Sequence, residues 1–433
     1  HHTIGTTTMA DGSSTAHVYW PKLLSVFTEG YRLSTFRKDA LAGLTVAIVA
    51  LPLSMAIGVA SGVSPERGLY AAIIGGFLVS ALGGSRFQVG GPAGAFIVLV
   101  AATVTQFGVD GLLIAVLLSG LFLTLLGLSG LGAVIRYIPH AVAVGFTSGI
   151  AVTIFASQLR DLAGLTMTGV EPGDIVPKLI ALASALPSTN ISAVTVGLAS
   201  IAMIFALRRF RPDWPGMLIA VALASVVSAL VHLPIETIAT RFGGLPSGIP
   251  LPQIPDLSWS RVVQLLPTAL SFTLLGGIES LLSAQIADGM TGRKHRYNME
   301  LVAQGIANVA TALFGGISVT GTIARTATNI RAGAQTPIAG MLHSVFLLGF
   351  IVIAAPLAGF IPLAALAAVL VVVCWNMVER DEFARLLRHA PSAAVLLITF
   401  GVTMAVDLTA GITAGCVTAA ALTRVGRPPA PSH

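Results

Sequence analysis

Gly90-Gly91-Pro92-Ala93-Gly94 opens one short apolar segment, and Val319-Thr320-Gly321-Thr322-Ile323 opens another about 229 residues further on. The match has a companion. Tyr137-Ile138-Pro139-His140-Ala141 begins a long apolar run, and Phe360-Ile361-Pro362-Leu363-Ala364 begins another about 223 residues later. Similar offsets at two places divide the chain into halves, about 40–231 and about 262–424. Seven spans per half is an odd number, so the second half must enter the membrane upside down. Inverted repeats with short, Gly/Pro-interrupted segments at matching positions mark transporters and point at their binding site.

The rest of the chain reads as membrane protein. Of 433 residues, 55% are hydrophobic and 10% charged, with a mean hydropathy of +0.88; a soluble domain carries about 25% charged residues. So few charges exclude a soluble enzyme, a nucleic-acid binder and a disordered scaffold. The apolar runs do not alternate, which excludes an outer-membrane barrel. Runs at 40–60, 110–129, 137–157, 191–207, 215–231, 262–287, 335–355, 361–378, 391–406 and 409–423 are clear, and shorter Gly-rich runs lie at 68–82, 92–106, 299–314 and 320–331. At about 20 residues per span this makes roughly 14 transmembrane segments. Segment 177–186 reads as an interfacial or extracellular helix and 232–261 as a Pro-rich loop.

An even span count with a cytoplasmic N-terminus puts both termini in the cytoplasm. Arg208, Arg209, Arg211, Arg293, Lys294 and Arg296 then fall inside with most other Lys and Arg, while Arg67, Arg160, Lys178, Arg241 and Arg261 fall outside. The positive-inside rule asks for this asymmetry, so the net charge of +6 reflects orientation, not nucleic-acid binding. Cys374 and Cys416 lie in apolar runs and imply no disulfide framework. No nucleophile–base pair, metal-ligand cluster or cofactor motif is visible, so an enzyme, a metal and a cofactor are not expected.

The two short segments carry the expected chemistry. A helix N-terminus has unpaired N–H groups and a partial positive charge. Gly90, Gly91, Gly94 and Gly321 leave backbone open to a ligand, and Pro92 suits a first helical turn. Inverted symmetry aims both N-termini at one point near the midplane, which makes an anion site. Arg325, one turn into the second short helix, is a charge at a depth where charge is costly and functional by default. Glu279 is the other isolated charge; it is a candidate proton carrier or cation ligand, with Ser283 one turn away on the same face, or else a structural partner for Arg325. Asp288 and Asp407 read as caps or dipole partners, His343 as a packing residue, and Gln88, Thr320 and Thr326 as polar lining.

Specific motifs lie in the second half. Glu279-Ser-Leu-Leu-Ser-Ala-Gln-Ile-Ala-Asp288-Gly-Met-Thr-Gly, Gln304-Gly-Ile-Ala-Asn308, Phe314-Gly-Gly316, and Gly321-Thr-Ile-Ala-Arg325-Thr-Ala-Thr-Asn329 through Pro337 are four of them. With Ala42-Gly43-Leu44-Thr45 through Pro52 and Val89-Gly90-Gly91-Pro92, they resemble the SulP (sulfate permease) family, bacterial relatives of the solute carrier 26 anion transporters. The resemblance covers nearly all of 36–424. It implies an all-α, fourteen-span fold of two inverted seven-span repeats, shared with uracil permeases, with a core domain and a gate domain. Substrate would bind between the third and tenth spans, and members usually work as dimers in the inner membrane.

By that resemblance Gly91, Pro92 and Ala93 form the third-span site, Gly321, Thr322, Ile323, Ala324 and Arg325 the tenth-span site, and Glu279 with Ser283 the coupling-ion position. Sodium-coupled bicarbonate relatives tend to have Asp followed by Thr there, so Glu279 and Ser283 favour a proton over sodium. The expected function is secondary active transport of a small anion (sulfate, bicarbonate, chloride or a carboxylate) by proton-coupled symport. The alternatives are a nucleobase permease of the same fold and an anion channel or exchanger without ion coupling. Residues 1–35 read as a tag remnant and cytoplasmic N-terminus, 36–424 as the transport domain, and 425–433 as a tail, with the family's C-terminal STAS domain absent.

Overall fold

The computed structural model describes residues 19–169 and 171–424, so the tag-like start and the 425–433 tail lie outside the described residues. Among the described residues, six helices are long and apolar enough to cross a bilayer: Leu33–Ala60, Gly94–Leu128, His140–Ala163, Ile191–Phe210, Trp259–Thr291 and Leu363–Leu387. The others are shorter or broken: the Gly-rich runs, but also the runs at 215–231, 335–355, 391–406 and 409–423 that read as clear spans, whose helices are only 16–17 residues long. Gly108 divides the stretch Gly94–Leu128: its φ of 74° and ψ of −179° are open only to glycine at low cost, and they kink the chain between 94–107 and 109–128.

Counting breaks in this way gives fourteen spans. In the first half they are Leu33–Ala60, 65–82, 90–107, 109–128, His140–Ala163, Ile191–Phe210 and Gly216–Val231. In the second half they are Trp259–Thr291, Tyr297–Leu313, 320–331, Ile338–Ile353, Leu363–Met377, Ala390–Ala405 and Leu408–Arg424. We number them 1–14 in chain order.

Packing follows the inverted symmetry pair by pair. Span 4 lies along span 9, and its counterpart span 11 along span 2; span 1 lies along span 11, and span 8 along span 4. Spans 5 and 13 pack as spans 12 and 6 do, and spans 5 and 12 pack against each other. Spans 1–4 with 8–11 therefore form one unit, the core, and spans 5–7 with 12–14 form the other, the gate. Pro139 and Pro362 cap spans 5 and 12 in matching extended conformations, both in the gate. Where lipid gives helices no hydrophobic reason to associate, close backbone packing supplies the attraction. At the span 4–span 9 crossing a Cβ on Gly120 would stand 2.6 Å from the Gly305 carbonyl oxygen, so only glycine fits there.

Several boundaries differ from expectation. Span 1 begins at Leu33, well before the apolar run at 40, because Asp39 is wholly buried and fully bonded. The 232–261 loop contains a short helix, Ile238–Phe242, opened by a Thr237–Thr240 capping box. Helices Lys22–Glu29 and Arg380–Leu387, both outside the apolar runs, lie against the protein by one face: Val26 and Leu386 are buried, while Phe27 and Leu387 are exposed. A helix is present at Ile175–Ser184, over most of the 177–186 segment.

Candidate binding site between the half-helices

The two short segments meet. Gly90 pairs with Gly321 and Gly91 with Thr320 in a two-residue antiparallel ladder. The Thr322 N–H continues it by donating to the Val89 carbonyl at 3.1 Å. Beyond the ladder the chains turn into helices, capped at Ala93 and Thr322, whose N-termini start from the same crossing. The ladder thus converts sequence symmetry into one site with two positive helix ends. Gly91, Pro92, Ala93 and Gly321 are buried, Thr322 and Ile323 half-buried, and Ala324 exposed.

The gate closes one side. A Cβ on Gly94 would contact Met377 Sδ of span 12 at 3.5 Å and Ile154 Cδ1 of span 5 at 3.8 Å. Behind the half-helix, Phe96 stacks on Phe272 of span 8 with centroids 5.8 Å apart.

Arg325 is fully buried. Its Nη2 donates to Ser54 Oγ of span 1 at 2.9 Å, while Nε and Nη1 have no partner among the described residues. The guanidinium lies against the bare backbone of Gly91, where a Cβ would come within 1.5 Å of Nη1. No ion pair joins Arg325 to Glu279 among the described residues, so the reading of Glu279 as its structural partner does not hold. The core therefore holds a cation beside the two helix ends without a carboxylate to neutralise it, an arrangement that an arriving anion would complete.

Glu279 is 9% exposed, and no described residue hydrogen-bonds its carboxylate. Ser283 is turned elsewhere: its hydroxyl donates to Thr326 Oγ1 at 3.3 Å, and Thr326 Oγ1 also accepts the Val89 N–H at 3.1 Å. Ser283 thus braces the ladder. Thr320 Oγ1 donates to the Gly276 carbonyl at 3.1 Å, tying the ladder to span 8.

Two carboxylates missed by the sequence reading anchor this geometry. Glu300 of span 9 is wholly buried; its Oε2 accepts the Gly84 and Ser85 N–H groups at 2.8 and 3.0 Å, and its Oε1 accepts Gln88 Nε2 at 2.6 Å and Gln304 Nε2 at 3.1 Å. Asp39 accepts the backbone N–H groups of Gln335 and Thr336 at 2.8 and 3.1 Å, along with the Thr336 and Tyr31 hydroxyls. The signal that singled out Glu279, a charge isolated in an apolar run, was lacking for both, since Arg37 and Lys38 precede Asp39 and Arg296 lies one turn before Glu300. Gln88 is therefore a brace within this network, also reaching Ser280 Oγ at 3.1 Å, more than site lining. Asn308 pins Val319 through its backbone N–H and carbonyl, both at 2.9 Å.

The remaining expectations fall as follows. Asp407 caps span 14 by accepting the Ala410 N–H at 2.7 Å. His343 is a packed residue, with Nδ1 3.3 Å from the Gly340 carbonyl. Asp288 holds His295 and does not cap. Among the described residues there is no cluster of metal ligands.

The sulfate permease family model matches residues 36–400. The chain belongs to the sulfate permease family. A putative sulfate transporter of Bacillus subtilis, YvdB, is 42% identical over 395 residues, covering 90% of this chain and 74% of that protein. The bicarbonate transporter BicA of Picosynechococcus sp. is 31% identical over 409 residues, covering 92% and 71%. Among solved structures, the transmembrane domain of a cyanobacterial BicA superposes with a TM-score of 0.80 at 29% identity, covering 88% of this chain and 98% of that one. SLC26A9 superposes at 0.87 over 95% of this chain and 68% of that one; at 20% identity it shows the fold alone. This family member is a fourteen-span protein of two inverted seven-span repeats and a transporter, not an enzyme.

Proposed function

We propose that the protein is a secondary carrier of a small oxyanion, sulfate or bicarbonate first among candidates, that binds where spans 3 and 10 begin. One observation carries the reading: two half-helix N-termini start from one ladder beside a buried arginine that has no carboxylate partner. Such a site neutralises its own charge only by taking an anion. The names of the relatives, a putative sulfate transporter and a bicarbonate transporter, support the substrate class.

Coupling to a proton is the finer part of the proposal. Glu279 faces the same core and has no fixed donor, so it is free to exchange a proton as the anion arrives. Each would favour binding of the other, by the same factor in both directions. The carrier resides in a bacterial inner membrane as a homodimer, with both termini in the cytoplasm.

The test is uptake by proteoliposomes across a panel of labelled anions, with and without proton and sodium gradients. A saturable, uphill uptake driven by protons supports the proposal, and Glu279→Gln should then exchange substrate between equal pools yet fail to concentrate it. Sodium-dependent uptake indifferent to pH would sink the proton reading, and non-saturating flux would indicate a channel.

A further inference from the structure

Away from the transport site, the face bearing the N-terminal helix holds a second cationic enclosure. A cavity of about 230 Å³ is lined by Lys22, Ser85, Arg86, Phe87, Asp288, Arg293, Lys294 and His295. Arg86 is 8% exposed and bonded to Glu29 through Nη2 at 2.6 and 2.7 Å. His295 is also 8% exposed; its Nδ1 is 2.5 Å from Asp288 Oδ2, and its buried Nε2 has no partner among the described residues. Asp288 thus orients the ring at the wall of a cavity that Lys22, Arg86, Arg293 and Lys294 also line.

The charges crowd one another. Burial, then the nearby Arg296, Arg86 and Arg293, hold the Lys22 ammonium below its ordinary range. Glu29 and Asp288 offset only part of this excess. Arg296 is already engaged, donating to the Trp20 carbonyl at 2.7 Å and Ser25 Oγ at 3.1 Å. Lys22, Arg293 and Lys294 bring several charged donors to one cavity. A tetrahedral group with several acceptor oxygens matches them, because charge-assisted bonds to oxyanions are the strong ones.

We infer that this cavity is a binding site for a phosphate group, carried either by an anionic phospholipid headgroup or by a free phosphate compound. The wall Ser85–Phe87 belongs to the loop that leads into the Gly90–Gly91 ladder strand, and Asn329 of span 10 donates to the Phe87 carbonyl at 2.9 Å. A bound phosphate therefore fixes the approach to the transport site and stands as a regulatory ligand, separate from the transported anion.

The test uses the purified full chain. In detergent, inorganic phosphate and pyrophosphate are titrated while thermal unfolding is followed, with chloride at equal ionic strength as control. In parallel, native mass spectrometry compares retention of phosphatidylglycerol and phosphatidylcholine. The variants are Arg293→Ala with Lys294→Ala, both exposed side chains whose loss leaves the fold intact, His295→Gln, and Arg325→Ala to silence the transport site. Wild type and Arg325→Ala should bind alike, while the pocket variants bind at least about tenfold more weakly. Stabilisation by phosphate or pyrophosphate identifies the free compound; selective retention of phosphatidylglycerol identifies the lipid. Equal binding by wild type and pocket variants, or binding of neither probe, overturns the proposal. Loss in Arg325→Ala alone assigns the signal to the transport site and also overturns it.

Discussion

The core and the gate bury polar groups in opposite ways. In the core, carboxylates and amides reach across the sequence to pin backbone: Glu300 holds Gly84 and Ser85, Asp39 holds Gln335 and Thr336, Asn308 holds Val319, and Asn329 holds Phe87. In the gate, buried hydroxyls return to their own helices, as Thr399 does to Val395 and Thr153 to Gly149. The gate's ionic contacts include Arg241 with Asp161, His140 with Glu382 and the buried Lys178 with Glu171. A bond within one helix constrains no neighbour, whereas a buried carboxylate with four donors fixes every segment it touches. The core is thus built to keep one shape around the ladder, and the gate to present an apolar wall to it, along which the proposed alternating access would move it. Across the seam, Thr409 Oγ1 of span 14 donates to Ser271 Oγ of span 8 at 3.0 Å.

The contrast can be broken most severely by welding the seam. With Cys374 and Cys416 replaced by serine, Ser271→Cys paired with Thr409→Cys should form a disulfide that stops turnover, restored by reduction. Gly149→Cys with Thr403→Cys joins spans 5 and 13 inside the gate, where a Cβ at 149 would lie 3.0 Å from Thr403 Cβ and needs only a small shift to reach disulfide spacing. That link should leave transport intact. A reversed pattern would mean that the moving unit is drawn in the wrong place.

Next in size is the stability difference between the two kinds of polar group. Glu300→Ala strips four donors of their acceptor and should destabilise the protein by about 3–5 kcal/mol. Thr399→Val in the gate should cost about 1 kcal/mol or less. Unfolding midpoints of the two purified variants, measured side by side, check the difference; equal losses would contradict a braced core against a loosely bonded gate.

A smaller effect separates the two faces of the third span. Gly91→Val drives a side chain into Arg325 and should lower uptake about 100-fold, since misplacements on the order of 1 Å at a working site have that effect. Gly94→Ala meets Met377 only at ordinary contact distance and should leave uptake within about threefold. Smallest of all, Thr409→Ala removes a single exposable seam bond and should change stability by about 1 kcal/mol or less while transport persists.

Much of this was legible in the sequence. The Gly90–Gly94 and Val319–Ile323 stretches gave away the repeat because glycine and proline mark where a helix must break, and a break inside a membrane has few other uses. Gly91 and Arg325 were legible for the same reason, as a bare backbone and a costly charge at matched positions. Glu300 and Asp39 were not, since each lies beside Arg or Lys in sequence and only tertiary packing carries it into the interior. Nor could sequence tell that Ser283 turns to Thr326, away from Glu279: residues on one helix face share a side, and which neighbour they bond depends on the span packed there. The helix Arg380–Leu387 was hidden by its charges, because a half-buried surface helix needs only a few apolar residues and no long run.

The central claim is that the anion sits where the two half-helices begin, under the field of Arg325. Its most direct test is uptake of the anion identified by the panel, in proteoliposomes containing wild type or Arg325→Ala, each normalised to monodisperse protein. A fall of about 10–100-fold is expected in the variant, the loss of one charge-assisted contact to the anion, with the fold retained. Uptake equal to wild type would contradict it.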